Sequence, residues 1–247
     1  MLALAALLSV LVGVSLGLLG GGGSILMVPI LLYVVQMEER TAIATSLLVV
    51  GVTSAVAAIP HYRQGNVDLR VGLGFAAVGM IGAYLGGRAA AWISPSLLLY
   101  GFVAMMIATA VSMLRGRKEH EPSNDIVWPK LFLTAGSVGC ITGLVGAGGG
   151  FMVVPALSLV GGLPLRRAVG TSLLVIALQT SAGFLGHLHG VSIDPQVTGI
   201  VLGAAVFGSI AGSLASSRVP QTNLRRAFGV LVLGMAALTL AEKLMHP

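Results

Sequence analysis

The stretch GLLGGGGSILMVP at 17–29 breaks an apolar run with four consecutive glycines, and 126 residues later the chain repeats it as GLVGAGGGFMVVP at 143–155. Shifted by 126, residues 13–86 match 22 of 74 positions without a gap. The matches include Gly20, Gly22, Gly23, Pro29, Arg40, His61, Asp68, Gly82 and Gly86, and Thr45-Ser46-Leu47-Leu48-Val49 returns as Thr171-Ser172-Leu173-Leu174-Val175. Apolar composition produces chance Leu, Val and Gly matches, but not paired Pro, Arg, Thr-Ser, His and Asp in one register. The chain is therefore a tandem repeat whose two units break at the same place.

Those units sit in a membrane. Hydrophobic residues make up 56% of the 247 and charged residues 9%, against about 25% charged in a soluble domain, and mean hydropathy is +0.98. A signal peptide ahead of a soluble domain does not fit, because residues 1–19 lack a basic leading region and apolar runs continue to the C-terminus. The lone Cys140 excludes an internal disulfide. A formal charge of +6 in such a chain reports Lys and Arg gathered in cytoplasmic loops, not nucleic-acid binding.

Each half reads as five apolar segments: 1–19, 24–36, 41–60, 70–93 and 97–114, then 131–146, 150–162, 167–186, 196–217 and 224–241. Residues 1–114 form the first membrane repeat, 115–130 a charged cytoplasmic linker and 131–247 the second repeat. A spanning helix needs about 20 apolar residues, so the second segment of each half is a short crossing or a re-entrant hairpin. If the Gly run merely kinked one long span, the fourteen Lys and Arg would divide evenly between the two faces. If the chain reverses there, Arg40, Arg88 and Lys243 share one face and the other eleven the opposite one. Basic loops stay cytoplasmic, so the second arrangement is favoured and both termini lie outside. An odd segment count inverts the second half, so the expected fold is an all-α polytopic membrane protein of two inverted-topology repeats. Gly13/Gly17, Gly139/Gly143, Gly82/Gly86 and Gly208/Gly212 are small-xxx-small pairs suited to close helix packing.

A helix ends inside hydrocarbon only where its freed backbone groups meet protein or a polar cavity. Just after each Gly run a new helix starts, and its first N–H groups are unsatisfied and carry the positive end of the helix dipole. In an inverted pair two such ends converge near the midplane and build an anion site. Its candidate backbone is Gly21, Gly22, Gly23 and Ser24 with Gly148, Gly149 and Gly150; helix packing or hinge roles for these glycines stay open. The membrane segments hold almost no acid or base, which argues against a carboxylate Na⁺ site or proton relay. Hydroxyls and amides remain: Thr45, Ser46, Thr171, Ser172 and Gln179 as substrate ligands, with Thr53, Ser54 and Thr180 nearby, unless they bond back to the helix.

His61 and His187 close the third segments at opposite faces, and Arg40 and Arg166 flank them, candidates for gating or proton coupling or for interfacial anchors. Asp68 and Asp194 read as helix N-caps. No metal or cofactor motif, P-loop or nucleophile-base set appears, which excludes an ATP-driven motor and disfavours an enzyme. A passive anion channel would suit the same helix ends.

The repeated G-x-x-G-x-G-G-x(5)-P pattern with its Thr-Ser-Leu follow-up resembles the sulfite exporter TauE/SafE family over the whole chain. The resemblance implies a prokaryotic plasma-membrane (inner-membrane) secondary transporter, in many members an exporter, for a small sulfur oxyanion or organosulfonate, with protons as coupling ion and no cofactor. Gly21 stands opposite Ala147 and Ser24 opposite Gly150, so the two halves of any site differ.

Overall fold

The computed structural model describes residues 2–114, 127–145, 150–187 and 191–216, with 230, 233, 234, 236, 237 and 240. The linker up to 126, the second break at 146–149 and most of the last segment lie outside these. The described residues form helices α1 (Leu2–Leu19), α2 (Gly22–Val34), α3 (Glu39–Arg63), α4 (Leu69–Ala90), α5 (Pro95–Leu114), α6 (Trp128–Val145), α7 (Gly150–Leu159), α8 (Leu165–His187) and α9 (Pro195–Ala215). Six of them, α1, α3, α4, α6, α8 and α9, are long and apolar enough to cross a membrane.

The starts of α1, α3 and α4 reappear 126 residues later as those of α6, α8 and α9. Asp68 and Asp194 cap α4 and α9 as expected: Asp68 Oδ1 accepts from Val71 N at 3.0 Å, and Asp194 Oδ1 from Gln196 N at 2.8 Å. Helix α6 begins at Trp128, earlier than the sequence boundary at 131, with Pro129 in its first turn, where a missing N–H costs nothing. Arg70 stacks 5.6 Å above the Trp128 ring and ties the start of α4 to that of α6.

The short segments following the breaks reach only about 15 to 20 Å. Helix α1 stops at Gly20, whose φ of +77° lies in the left-handed region that glycine adopts without strain. Helix α2 is 3₁₀ over Gly22–Leu26, α over Met27–Pro29 and π over Ile30–Val34; Pro29 has no N–H to give to a regular ladder. Helix α7 is a plain α-helix ended near Gly162, at φ +67°.

Glycines set how the long helices pack. Gly13 lies on Ala205 and Ser209, Gly17 on Ser209 and Ser213, Gly208 on Val10 and Gly212 on Val14, so α1 and α9 run parallel in close contact. The counterpart pair does the same: Gly82 meets Gly136, Gly86 meets Cys140, Gly139 meets Gly79 and Gly143 meets Ala83, which makes α4 and α6 parallel. In the centre, Gly51 faces Thr180 and Gly183 faces Leu47, so α3 and α8 are antiparallel. The distribution of polarity is that of a chain whose solvent is lipid. Leu7, Ile81, Leu85 and Phe207 are exposed, while Ser24, Thr45, Ser46, Thr53, Ser54, Gln179 and Thr180 are buried.

This packing is sensitive to one carbon. A Cβ at Gly13 would overlap the Ala205 carbonyl, whereas one at Gly203 meets nothing within 4 Å. Gly13→Ala is expected to lower stability in detergent by about 1–3 kcal/mol through overpacking, and Gly203→Ala to leave it unchanged; thermal melts of both proteins check this.

Candidate functional site at the meeting of the two breaks

Helix α8 threads the centre, and one of its faces carries the site. Positions 172, 176, 179 and 183 follow at helical spacing and share that face. Ser172 Oγ donates to Gly20 O at 3.1 Å, across to the first break, and to Val169 O at 2.7 Å, back along its own helix. One turn on, Ile176 packs on Gly150, the first residue of α7. Gly150 in turn lies directly against Gly21, which caps α2, so the first break touches the start of α7. The contact exists because neither residue has a Cβ; a carbon at either position would overlap the other's backbone. It brings the starts of α2 and α7 together at the level of Ile176, half-way along α8, as the repeat suggests. The leading N–H groups of a helix lack partners within it; in the 3₁₀ start of α2 Ser24 N already donates to Gly21 O at 3.3 Å, ahead of which stand the N–H groups of Gly22 and Gly23.

Unpartnered polar groups lie along the buried lengths of α3 and α8. Thr45 Oγ1, Thr53 Oγ1, Ser54 Oγ and both amide atoms of Gln179 are buried without a hydrogen-bond partner among the described residues. A buried amide left unpaired costs about 1–3 kcal/mol, so these groups mark a place where the folded chain forgoes stability. The Gln179 side chain lies over Gly79 of α4, in the space a Cβ there would take. Its repeat counterpart is Thr53, and Gly79's is Ala205. The contact of the second half's long amide with a glycine of the first half thus has no counterpart under the repeat, and Gly79 is a position that the sequence reading passed over; the Gly/Ala mismatch at 79 and 205 was its only signal.

Other candidate ligands are spoken for. Ser24 Oγ donates to Gly21 O at 2.7 Å and fastens the first turn of α2, and Ser46 Oγ donates to Ile43 O at 2.9 Å. Thr171 Oγ1 accepts from Asp68 N at 2.9 Å, holding the start of α4 on α8. The back-bonded alternative therefore describes both serines of the Thr-Ser pairs, and Thr45 is the member left unpartnered. Gly22 and Gly23 are buried in the first turn of α2, while Gly148 and Gly149 lie outside the described residues.

The flanking His and Arg residues come together crosswise. Because α3 and α8 are antiparallel, the start of each lies beside the end of the other. His61 and Arg166 line one cavity of about 10 Å³ with Leu18, Gln64, Asn66 and Val169. His187 and Arg40 line a second of about 30 Å³ with Ile43, Gly87, Ala90 and Leu98. Each has room for a water or two and is too small for a sulfur oxyanion.

The family model described as "Sulfite exporter TauE/SafE" matches residues 5–239. Among curated proteins, a "Probable membrane transporter protein" of Xylella fastidiosa (strain Temecula1) is 35% identical over 234 residues, 92% of this chain and 90% of that one. "Probable membrane transporter protein YdhB" of Bacillus subtilis is 27% identical over 88% of this chain and 91% of its own. A namesake in Methanocaldococcus jannaschii, MJ0441, is 27% identical over 73% and 72%.

Proposed function

Because this chain belongs to the sulfite exporter TauE/SafE family and is a multi-pass membrane transporter, we propose that it is a secondary active carrier of a small sulfur oxyanion or sulfonate. The carrier alternates access around one anion site where α2 and α7 begin, exports its substrate across a prokaryotic inner membrane, and couples to protons. The single observation that carries this reading is the contact of Gly21 with Gly150. Two positive helix ends meeting in a low-dielectric interior favour an anion, and Gln179, Thr45 and Thr53 offer donors without fixing a charge.

Alternating access needs two halves that exchange shapes. The antiparallel α3/α8 pair, and the exchange of the α1/α9 contact for α6/α4 under the repeat, support inverted-topology repeats; the distribution of Lys and Arg favours both termini outside. Small cavities at both ends favour a carrier over an open channel, since the ends of the α3/α8 pair are shut together.

The test is thermal shift of the purified protein in detergent across sulfite, sulfate, thiosulfate, a small sulfonate, phosphate and acetate. Selective stabilisation by sulfite or the sulfonate is expected. At a ligand concentration a hundred times Kd the stabilisation is about 2.7 kcal/mol, several degrees in melting temperature. Stabilisation by acetate or phosphate alone would replace the substrate class, and no shift with any anion would remove the site.

A further inference from the structure

Each histidine at the ends of α3 and α8 is held in one tautomer by a backbone carbonyl, His61 through Nε2 on α1 and His187 through Nδ1 on its own helix. His61 Nε2 stands 2.9 Å from Gly17 O, and His187 Nδ1 stands 3.1 Å from Gly183 O. A carbonyl only accepts, so these two nitrogens carry the hydrogens. The remaining nitrogen of each ring, Nδ1 of His61 and Nε2 of His187, is buried without a partner among the described residues, and each ring lines a cavity that also holds an arginine from the other repeat. In the neutral ring that nitrogen is an acceptor. It turns donor only by gaining a proton.

The geometry points to two entry sites, His61 with Arg166 and His187 with Arg40, each of which, once parting of the helix ends has enlarged its cavity, takes up one oxyanion together with one proton. The guanidinium supplies fixed positive charge and paired donors for the anion. The free imidazole nitrogen completes the site only through a proton, held either on the ring beside the anion or on the anion beside the neutral ring. Both forms contain one anion and one proton, which leave together when the site empties. Among the described residues the charged group facing His61 is Arg166 of α8; α1 contributes Leu18, the α3–α4 turn Gln64 and Asn66, and Ser216 follows α9. The charged group facing His187 is Arg40 of α3; the rest of that cavity's described lining is Ile43, Gly87, Ala90, Ala91, Leu98, Gly186 and Val191. Among the described residues neither cavity is lined by a carboxylate that competes for the arginine. Because each site is built from both repeats, parting the ends of α3 and α8 on one face opens one site and leaves the other closed. This inference rests on the transporter reading, and it adds proton uptake at the two faces without any acidic residue in the core.

The test is initial rates of sulfite transport by the full-length protein in vesicles of both orientations, with proton movement followed by a pH-sensitive dye. Arg166→Gln is expected to raise KM about tenfold or more from the face where α3 ends, as befits one lost charge-assisted hydrogen bond, and to leave KM from the other face within about twofold. Arg40→Gln does the reverse. His61→Gln, which keeps a donor for Gly17 O but takes no proton, is expected to abolish sulfite-dependent proton uptake from its own face only. Arg166 is exposed, so its variant folds. Wild-type transport with variants that change both faces alike, or neither, overturns the paired entry sites alone. Wild-type vesicles that carry no sulfite from either face overturn the sulfite reading and this inference with it.

Discussion

Gly150→Ala is expected to abolish anion-dependent stabilisation and to cut transport about a hundredfold. A Cβ at this position would overlap the Gly21 backbone and stand 2.6 Å from Ile176 Cδ1. The isoleucine tip can swing away, but the Gly21 backbone cannot, because the neighbouring Gly20 is pinned by Leu16 O and Ser172. The starts of α2 and α7 must then part, and a displacement on the order of 1 Å in a binding constellation costs about a hundredfold. The control is Gly199→Ala, at a position with open space around it, which should transport like the parent. Thermal shift with sulfite and vesicle transport, measured on both variants, check the prediction. A Gly150→Ala protein that still gains stability from sulfite would show that the contact between the breaks is packing and nothing more.

What the sequence made legible follows from what a repeat encodes. The register of 126 placed the pairs α1/α6, α3/α8 and α4/α9, because the Arg, His and Asp matches sit at helix ends, where each has one physical job. Asp68 and Asp194 cap, and Gly20 ends α1. Matched glycines on α1 and α9, and on α4 and α6, announced close packing because a backbone approach needs a missing Cβ on each side. The pairing of His61 with Arg166 was not drawn from the sequence, although it follows once α3 and α8 are antiparallel; a linear reading groups residues by segment, and these meet across repeats. The hydroxyls were the least legible. Ser46, Ser172 and Thr45 occur in identical local sequence, yet both serines bond back to their own helix while Thr45 finds no partner among the described residues. That choice is made by neighbours from other helices, which no local pattern reports. Gly79 was hidden for the same reason, since its role is to leave room for a side chain a hundred residues away.

Gln179→Leu should separate function from stability with opposite signs. The amide is fully buried, and neither its nitrogen nor its oxygen has a partner among the described residues. Leucine is close in volume, lacks the two polar atoms, and fills the space over Gly79 that the amide now takes. Removing an unsatisfied buried amide is worth about 1–3 kcal/mol, so the variant should melt at or above the parent. If the amide exists to bind the substrate, the same change removes a neutral donor from the anion and lowers affinity roughly tenfold or more. Gln179→Glu sharpens the contrast, because a carboxylate there repels an oxyanion and should abolish transport. The measurements are melting temperature without ligand and KM for sulfite. A leucine variant that is both more stable and unimpaired would make Gln179 a packing residue, and one that is less stable would mean its amide has a structural partner. A gain in stability paired with a loss of affinity is the signature of a residue kept for its ligand.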